Sequence, residues 1–197
     1  MTNTARRAPW ILARSAQVAI AVAAVADVFR AVAVRDQHVH RTDRSSHESG
    51  VVSMVFVYLM TLAIVLFLVW LARSRRNALE LSPQTSLSSR GWTIGAWFVP
   101  GVNFVVPRRL VLDIGRAGSA EWEQKRDTAL VNLWWGAWIT HALVLMVAVR
   151  AAPGSMALLV VAEALMIAAA VLVGLVIERI TTLQSQPSEV SDTRISA

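Results

Sequence analysis

The feature that most constrains the fold is a long apolar run, residues 51–72, which contains no charged side chain. A helix needs about 20 predominantly apolar residues to cross the hydrocarbon core of a bilayer. Residues 15–34, 133–149 and 155–177 form three similar runs. The composition agrees, because only 16% of the residues are charged, whereas soluble domains average about 25%. The sequence therefore predicts an all-α integral membrane protein with four transmembrane helices.

The four runs predict a single membrane domain, residues 15–180. A short basic segment, residues 1–14, precedes it, and residues 181–197 have the polar composition of a disordered tail. The basic start and the first apolar run also fit a cleaved signal peptide. We favour a retained helix, because the run continues past the usual length of a signal.

The segment at residues 92–117 is apolar, but Pro100 and Pro107 interrupt it. Each proline removes a backbone donor and clashes with a continuing helix. We therefore predict a re-entrant or interfacial segment with a half-helix, a turn and an amphipathic helix, in which the Asn103 amide bonds freed backbone groups. The amphipathic helix would have one apolar and one polar face, formed by Leu110, Val111 and Ile114 and by Arg109, Asp113 and Arg116. A kinked fifth span is the alternative.

The distribution of basic residues favours the re-entrant arrangement. With four spans, fourteen of the 19 lysines and arginines lie on the side of the two termini. With five spans, eleven of the 19 would lie on the opposite side. Basic residues collect on the cytoplasmic side of membrane proteins, so we predict a plasma-membrane protein with both termini cytoplasmic. All eight tryptophans then lie near the inner face, and Trp134, Trp135 and Trp138 are expected to anchor the third span there.

The net charge of +6 follows from the same arginines, so we do not expect nucleic acid as a partner. Arg73, Arg75 and Arg76 follow the second span and are predicted to contact anionic lipid head groups. The bilayer itself is the expected partner, and a homo-oligomer or another membrane protein is left open. The chain has no cysteine, which excludes disulfides and thiolate chemistry.

Several short patterns resemble an actinobacterial membrane family that is catalogued as domain of unknown function 4328. The most specific pattern is W-F-x-P-x-x-N-x-x-x-P, and further matching positions lie outside it. The matching residues are Trp97, Phe98, Pro100, Asn103 and Pro107, with Arg76 and Asn77 after the second span and Trp134 and Trp135 before the third. Two positions depart from the family, because Arg108 and Gly115 stand where members often have aromatic residues. The resemblance implies this membrane topology and implies no activity.

Ionisable residues inside the spans are the main candidates for function, because charge at mid-bilayer is costly. Counting from the span ends places Asp27, Tyr58, His141 and Glu163 at similar depths, and Arg30 can pair with Asp27 at i, i+3. One interpretation is a proton- or ion-linked pocket in which His141 and Glu163 form a titrating pair. The interpretation we favour is a buried polar contact that holds the helices together.

The predicted outer loop, residues 35–50, contains His38, His40 and His47. On an extended segment, His-x-His directs both rings to one side, which would suit a divalent metal. Nothing in the sequence fixes such a geometry, so we favour a solvated loop. We predict no metal and no cofactor.

These features favour a non-enzymatic interaction, sensing or lipid-associated module. The alternative is a small ion- or proton-coupled transporter or channel that uses the intramembrane polar residues. An intramembrane or lipid-modifying enzyme is the third class, and no catalytic motif supports it.

Overall fold

The computed structural model describes residues 9–152 and 154–186. Four of its helices are long and apolar enough to cross a membrane, as the sequence predicts. They are α1 (Trp10–Val39), α2 (Asp43–Leu81), α5 (Gln124–Ala151) and α6 (Met156–Ser185). Two shorter helices, α3 (Arg90–Gly95) and α4 (Val106–Gly118), lie between α2 and α5 in the chain. The predicted fold class is confirmed.

The long helices extend beyond the apolar runs. The prediction of a solvated loop at residues 35–50 is wrong, because α1 and α2 leave only residues 40–42 between them. Thr42 explains the abrupt restart, since its side chain and that of Ser45 form a capping box at the start of α2. At the other end, α6 continues to Ser185, so the predicted tail begins later than residue 181. Residues 1–8 and 187–197 of the predicted terminal segments lie outside the described part of the chain.

The long helices form two antiparallel hairpins, α1–α2 and α5–α6, which meet where α1 packs against α6. The buried side of α1 consists largely of alanines, among them Ala13, Ala16 and Ala23. Small residues let helix backbones approach closely, which stabilises packing inside lipid where no hydrophobic driving force acts between helices. Large apolar residues cover the outside of all four long helices, as expected for surfaces that face lipid chains.

Hydrogen bonds and ion pairs between side chains join the long helices at one end of the bundle. Arg14 of α1 pairs with Glu178 of α6 at 2.8 Å, and the Trp70 indole donates to the Thr181 hydroxyl at 3.1 Å. Asp127 at the start of α5 lies 3.0 Å from the guanidinium of Arg179. The start of α1 and the end of α6 therefore lie together, and we call this end the termini end.

The short helices close the termini end between α2 and α5. A single 3-10 turn, Val102–Phe104, separates α3 from α4, and α4 packs against α2, α5 and α6. The predicted faces of α4 are as the structure has them. Leu110, Val111 and Ile114 are buried, and Arg109, Asp113 and Arg116 are exposed.

Candidate functional site

An aromatic cluster lies where the short helices meet the long ones. The ring of Trp97, which follows α3, lies 5.2 Å from that of Phe67 on α2 and 6.0 Å from that of Trp135 on α5. Trp134 completes the cluster, 6.0 Å from Phe67 and 5.4 Å from Trp135. Tilted and edge-on ring pairs at these distances add a stabilising attraction to the one that comes from burying their apolar surface. The aromatic cluster therefore joins α2, α5 and the stretch at residues 92–107, which we call the proline-broken segment.

This arrangement differs from the expectation that Trp134, Trp135 and Trp138 anchor a helix at the interface. Trp134 and Trp135 are buried, and the Trp135 indole donates to the backbone carbonyl of Phe104 at 2.9 Å. Tryptophans at an interface direct the indole nitrogen to water or head groups, whereas this one satisfies a protein carbonyl. The paired tryptophans therefore hold the proline-broken segment in place.

A cavity of about 250 Å³ opens above the aromatic cluster, toward the middle of the bundle. All four long helices line it, with apolar residues such as Ala23, Ala63 and Met166. Trp97, Phe98 and Asn103 contribute the proline-broken segment's part of the wall. Ile64 and Phe98 line the cavity and are also exposed on the outside of the bundle. The cavity is therefore accessible from the lipid-facing side between α2 and the proline-broken segment.

Sequence reasoning missed this cavity. Residues that face lipid and residues that line a cavity inside a bundle are both apolar, so hydropathy does not separate them. The one local signal is the run of small residues Ala168–Ala170 on α6, and such a run is equally typical of close helix packing.

On α1 and α5, the helix face that lines the cavity carries a polar side chain further from the termini end. On α1, Ile20 and Ala23 are followed by Asp27 at i+7 and i+4. On α5, Trp134 and Trp138 are followed by His141 at i+7 and i+3. Residues at these spacings share a helix face, so Asp27 and His141 lie about one turn, roughly 5.4 Å, beyond the cavity wall.

Three of the predicted polar residues come together there. Arg30 donates to the Asp27 carboxylate at 2.6–2.7 Å, and Asp27 is 1% exposed. The Arg30 guanidinium also lies 4.8 Å from the ring centroid of Phe56 on α2, a cation–π distance. The His141 ring nitrogen Nε2 lies 4.0 Å from the other oxygen of Asp27. The Asp27–Arg30 pair is thus neutralised within one helix, as its spacing predicts.

Glu163 lies in the same layer and has no bonding partner. It is 6% exposed, and neither carboxylate oxygen makes a hydrogen bond within the described residues. Its helical stripe continues through Met166, Ala170 and Val173, which line the cavity. A buried polar group without a partner is destabilising, and a buried charge without one is far more so. Glu163 is therefore a buried carboxyl whose partner is not found among the described residues.

The structure differs from the expected polar cluster in two respects. Tyr58 does not belong to it, because this residue is 68% exposed on the α2 face that also carries Val65 and Val69. His141 does not pair with the carboxylate of Glu163. Its Nδ1 bonds the backbone carbonyl of Ala162 at 2.8 Å instead, so the ring is oriented by the neighbouring residue of α6.

Glycine and proline occupy positions of the proline-broken segment that suit their backbone conformations. Gly101 adopts φ = 80° between Pro100 and the 3-10 turn, a conformation that glycine accepts readily. Pro107 occupies the first turn of α4, where a missing N–H costs nothing. The prediction that the Asn103 amide caps this turn is wrong, because its Oδ1 is buried without a partner. The Trp97 indole nitrogen is also buried and unbonded within the described residues.

The arginines after the second span divide into two groups. Arg73 and Arg76 are exposed, whereas Arg75 donates to the backbone carbonyl of Ser88 at 2.7 Å and ties the following loop to α2. Asn77 is half-buried on the same helix. Arg73 and Arg76 are therefore the two free to meet lipid head groups, and that contact stays a prediction.

The two positions that depart from the family pattern have structural roles of their own. Arg108 donates to the side chain of Asn132 at 2.7 Å and joins α4 to α5. A Cβ on Gly115 would lie 2.2 Å from a ring carbon of Trp122. The absence of a side chain at Gly115 makes room for this indole.

The outer histidines do not converge. His38 lies on α1 and bonds the Val34 carbonyl, while His40 caps that helix and bonds Asp36. His47 lies on α2. The His-x-His interpretation fails because the segment is helical and not extended. Within the residues described, no three histidine, aspartate or glutamate side chains are grouped to hold a metal ion.

Comparison with known protein families gives a match. The family described as "Domain of unknown function (DUF4328)" matches residues 33–182, which is more than half of the 197-residue chain. No curated protein and no solved structure matches the chain.

Proposed function

Because the chain belongs to the DUF4328 family of domains of unknown function, we propose its function from the cavity and the surfaces around it. The proposal is a non-enzymatic, lipid-associated membrane module that takes an apolar molecule from the bilayer into the cavity above the aromatic cluster. The observation that carries it is the cavity itself, apolar on all four long helices and reached from the lipid-facing side. The actinobacterial source stays a prediction.

The size of the cavity limits what it can hold. Sites for drug-sized ligands enclose about 300–1,000 Å³, and this one encloses about 250 Å³. It suits a single ring or a segment of hydrocarbon chain. Water would find few polar partners in it, and apolar cavities of similar size stay dry and bind apolar guests.

The orientation that we propose places the termini end at the cytoplasmic face of the plasma membrane. The basic residues support it, because that end carries Arg14, Arg73, Arg75, Arg76, Arg90, Arg108, Arg109, Arg116, Lys125, Arg126 and Arg179. The proline-broken segment then enters and leaves through the inner leaflet. The exposed arginines Arg73 and Arg76 meet anionic head groups there, each worth about 1 kcal/mol.

Binding of a neutral aromatic probe tests the proposal. In lipid nanodiscs, tert-butylbenzene should change the tryptophan fluorescence saturably, because Trp97, Trp134, Trp135 and Trp138 line the cavity. Ala170→Leu fills the cavity and should abolish the change. The matched control is Ala168→Leu on the same helix, since residue 168 is not part of the lining. Equal responses from both variants would count against the cavity as the binding site.

A small proton- or ion-coupled transporter is the second candidate, and the unpartnered carboxyl of Glu163 favours it. In proteoliposomes, Glu163→Gln and His141→Ala should then abolish a pH-dependent flux while the protein stays folded. If both variants only lower the melting temperature, the polar layer is structural and this candidate fails.

Orientation has its own test, because the chain has no native cysteine. An impermeant thiol reagent applied to intact cells should label a cysteine at position 46 and should not label one at position 119. Ser46 lies near the start of α2, and Ser119 follows α4 at the termini end. Labelling at position 119 would contradict the inner-leaflet placement of the proline-broken segment.

A further inference from the structure

We infer that the molecule taken into the cavity has an apolar body and a permanent positive charge. The cavity and Glu163 together form a site for a hydrophobic organic cation, and this cation displaces a proton. This inference rests on the proposed function, because the apolar body of the cation occupies the same cavity. It assigns a ligand class and gives the unpartnered carboxyl a role.

The first argument is the position of Glu163 relative to the cavity. Met166, one turn along α6, lines the cavity wall, and Ala170 and Val173 continue the same stripe. The carboxyl group therefore lies at the outer end of the cavity, and the aromatic cluster lies at the opposite end. A molecule with a hydrocarbon or aromatic body and a charged group at one end matches this polarity.

The second argument is the charge balance of the layer around Glu163. From α1, Asp27 and Arg30 face it and cancel each other in a pair at 2.6 Å. From α5, His141 faces it, bonded to the Ala162 carbonyl and 4.0 Å from Asp27, which is beyond hydrogen-bond distance. From α2 come the uncharged residues Phe56 and Met60. Glu163 is thus the one carboxyl of this layer that lacks a counter-ion.

The third argument is chemical. An ionised carboxylate without a counter-ion is strongly disfavoured in a low-dielectric interior, so the empty site holds Glu163 as the neutral acid. A quaternary ammonium group that arrives beside it supplies the missing charge. The O–H bond of the carboxylic acid then breaks, the proton leaves to water, and the carboxylate pairs with the cation. One positive charge enters and one leaves, so the net charge of the site does not change.

The aromatic side chains support the same ligand class. The ring of Trp138 lies 6.3 Å from that of His141, so an indole connects the polar layer to the aromatic cluster. Tryptophan faces attract cations, and quaternary ammonium groups are the typical ligands of aromatic sites. An uncharged acyl chain would use the cavity but would leave Glu163 without a partner.

Two isosteric probes separate the charge from the shape. Phenyltrimethylammonium and tert-butylbenzene differ in one central atom, nitrogen in the cation and carbon in the neutral compound. With protein in weakly buffered nanodiscs, the cation should release about one proton per molecule bound, and the neutral probe should release none. Cation affinity should fall as the pH is lowered, by up to tenfold per pH unit, because proton and cation compete for one carboxylate.

The decisive variant is Glu163→Gln, with Glu178→Gln as the matched control. Glu178 lies on the same helix but is half-buried and pairs with Arg14 at the termini end. Glu163→Gln should weaken cation binding at least tenfold, remove proton release and leave binding of the neutral probe unchanged. Glu178→Gln should behave like the native protein. Retained binding of the neutral probe also shows that the variant is folded.

Each contrary result has a separate meaning. If tert-butylbenzene binds but the cation does not, or if both bind equally without proton release, this inference is wrong and the proposed function stands. If Glu163→Gln still releases a proton, the titrating group is His141 and the assignment to Glu163 is overturned. If neither probe binds the native protein, the proposed function fails together with this inference.

Discussion

Replacing Gly115 with alanine tests whether the indole of Trp122 fixes the position of α4. A Cβ on residue 115 would lie 2.2, 2.5 and 2.8 Å from three ring carbons of Trp122, whereas carbon atoms attract best at about 3.5–4.0 Å. Trp122 is half-buried and packs against the buried core of the bundle, which limits the movement of its ring. Either the ring or α4 must therefore move.

Two opposing effects determine how much Gly115→Ala changes the free energy of unfolding. Inserting a methyl group into a packed site costs about 1–3 kcal/mol, while alanine favours a helix over glycine by about 1 kcal/mol. In the native background, Gly115→Ala should therefore lower the free energy of unfolding by up to about 2 kcal/mol. In a Trp122→Ala background the clash is absent, and the same change should raise it by about 1 kcal/mol. The sign of the effect reverses.

Four proteins complete the measurement: the native chain, each single variant and the double variant. Unfolding by a rising fraction of sodium dodecyl sulfate in mixed micelles, followed by far-UV circular dichroism, gives the four stabilities. The coupling energy between the two sites should be about 1–3 kcal/mol. If Gly115→Ala stabilises the native chain as much as it stabilises the Trp122→Ala variant, the two residues do not touch and the reasoning fails.

Three smaller changes test other contacts by the same unfolding measurement. Gly101→Ala forces a side chain onto φ = 80° and should cost about 1–3 kcal/mol, whereas Gly95→Ala in open space should be close to neutral. Trp70→Phe removes an indole bond to a buried hydroxyl of α6 and should cost about 1 kcal/mol. Asp127→Asn leaves Arg179 without its charged partner and should cost about 1–3 kcal/mol. An unchanged stability in any of these three would contradict the contact concerned.

Hydropathy predicts the four long helices because a bilayer demands long apolar runs, and the amphipathic period of α4 predicts which of its faces is buried. Counting residues along a helix gives the depth of a side chain in the membrane, but not the side of the helix from which it projects. Counting assigns Tyr58 to the polar layer, yet its side chain is exposed on the outer face of α2. The same limit hides the bond between His141 and the Ala162 carbonyl, because predicting it requires the rotation of α5 and α6 about their axes.

The hydrogen bonds of the residues in the W-F-x-P-x-x-N-x-x-x-P pattern differ from those that the sequence predicts. An asparagine between two prolines suggests a turn-capping amide, but the hydrogen bonds seen in this segment do not involve it. Asn103 donates its own N–H to Val99, the following residues bond within the 3-10 turn, and Trp135 satisfies the carbonyl of Phe104.

The Trp97 indole donor and the Asn103 acceptor are therefore both left unused, on residues that line the cavity. The turn uses neither group, and the cavity wall is the other structure in which both residues take part. Trp97, Phe98 and Asn103 of the pattern thus form part of the cavity wall as well as a break in a helix, and this is why we propose the function of the chain there.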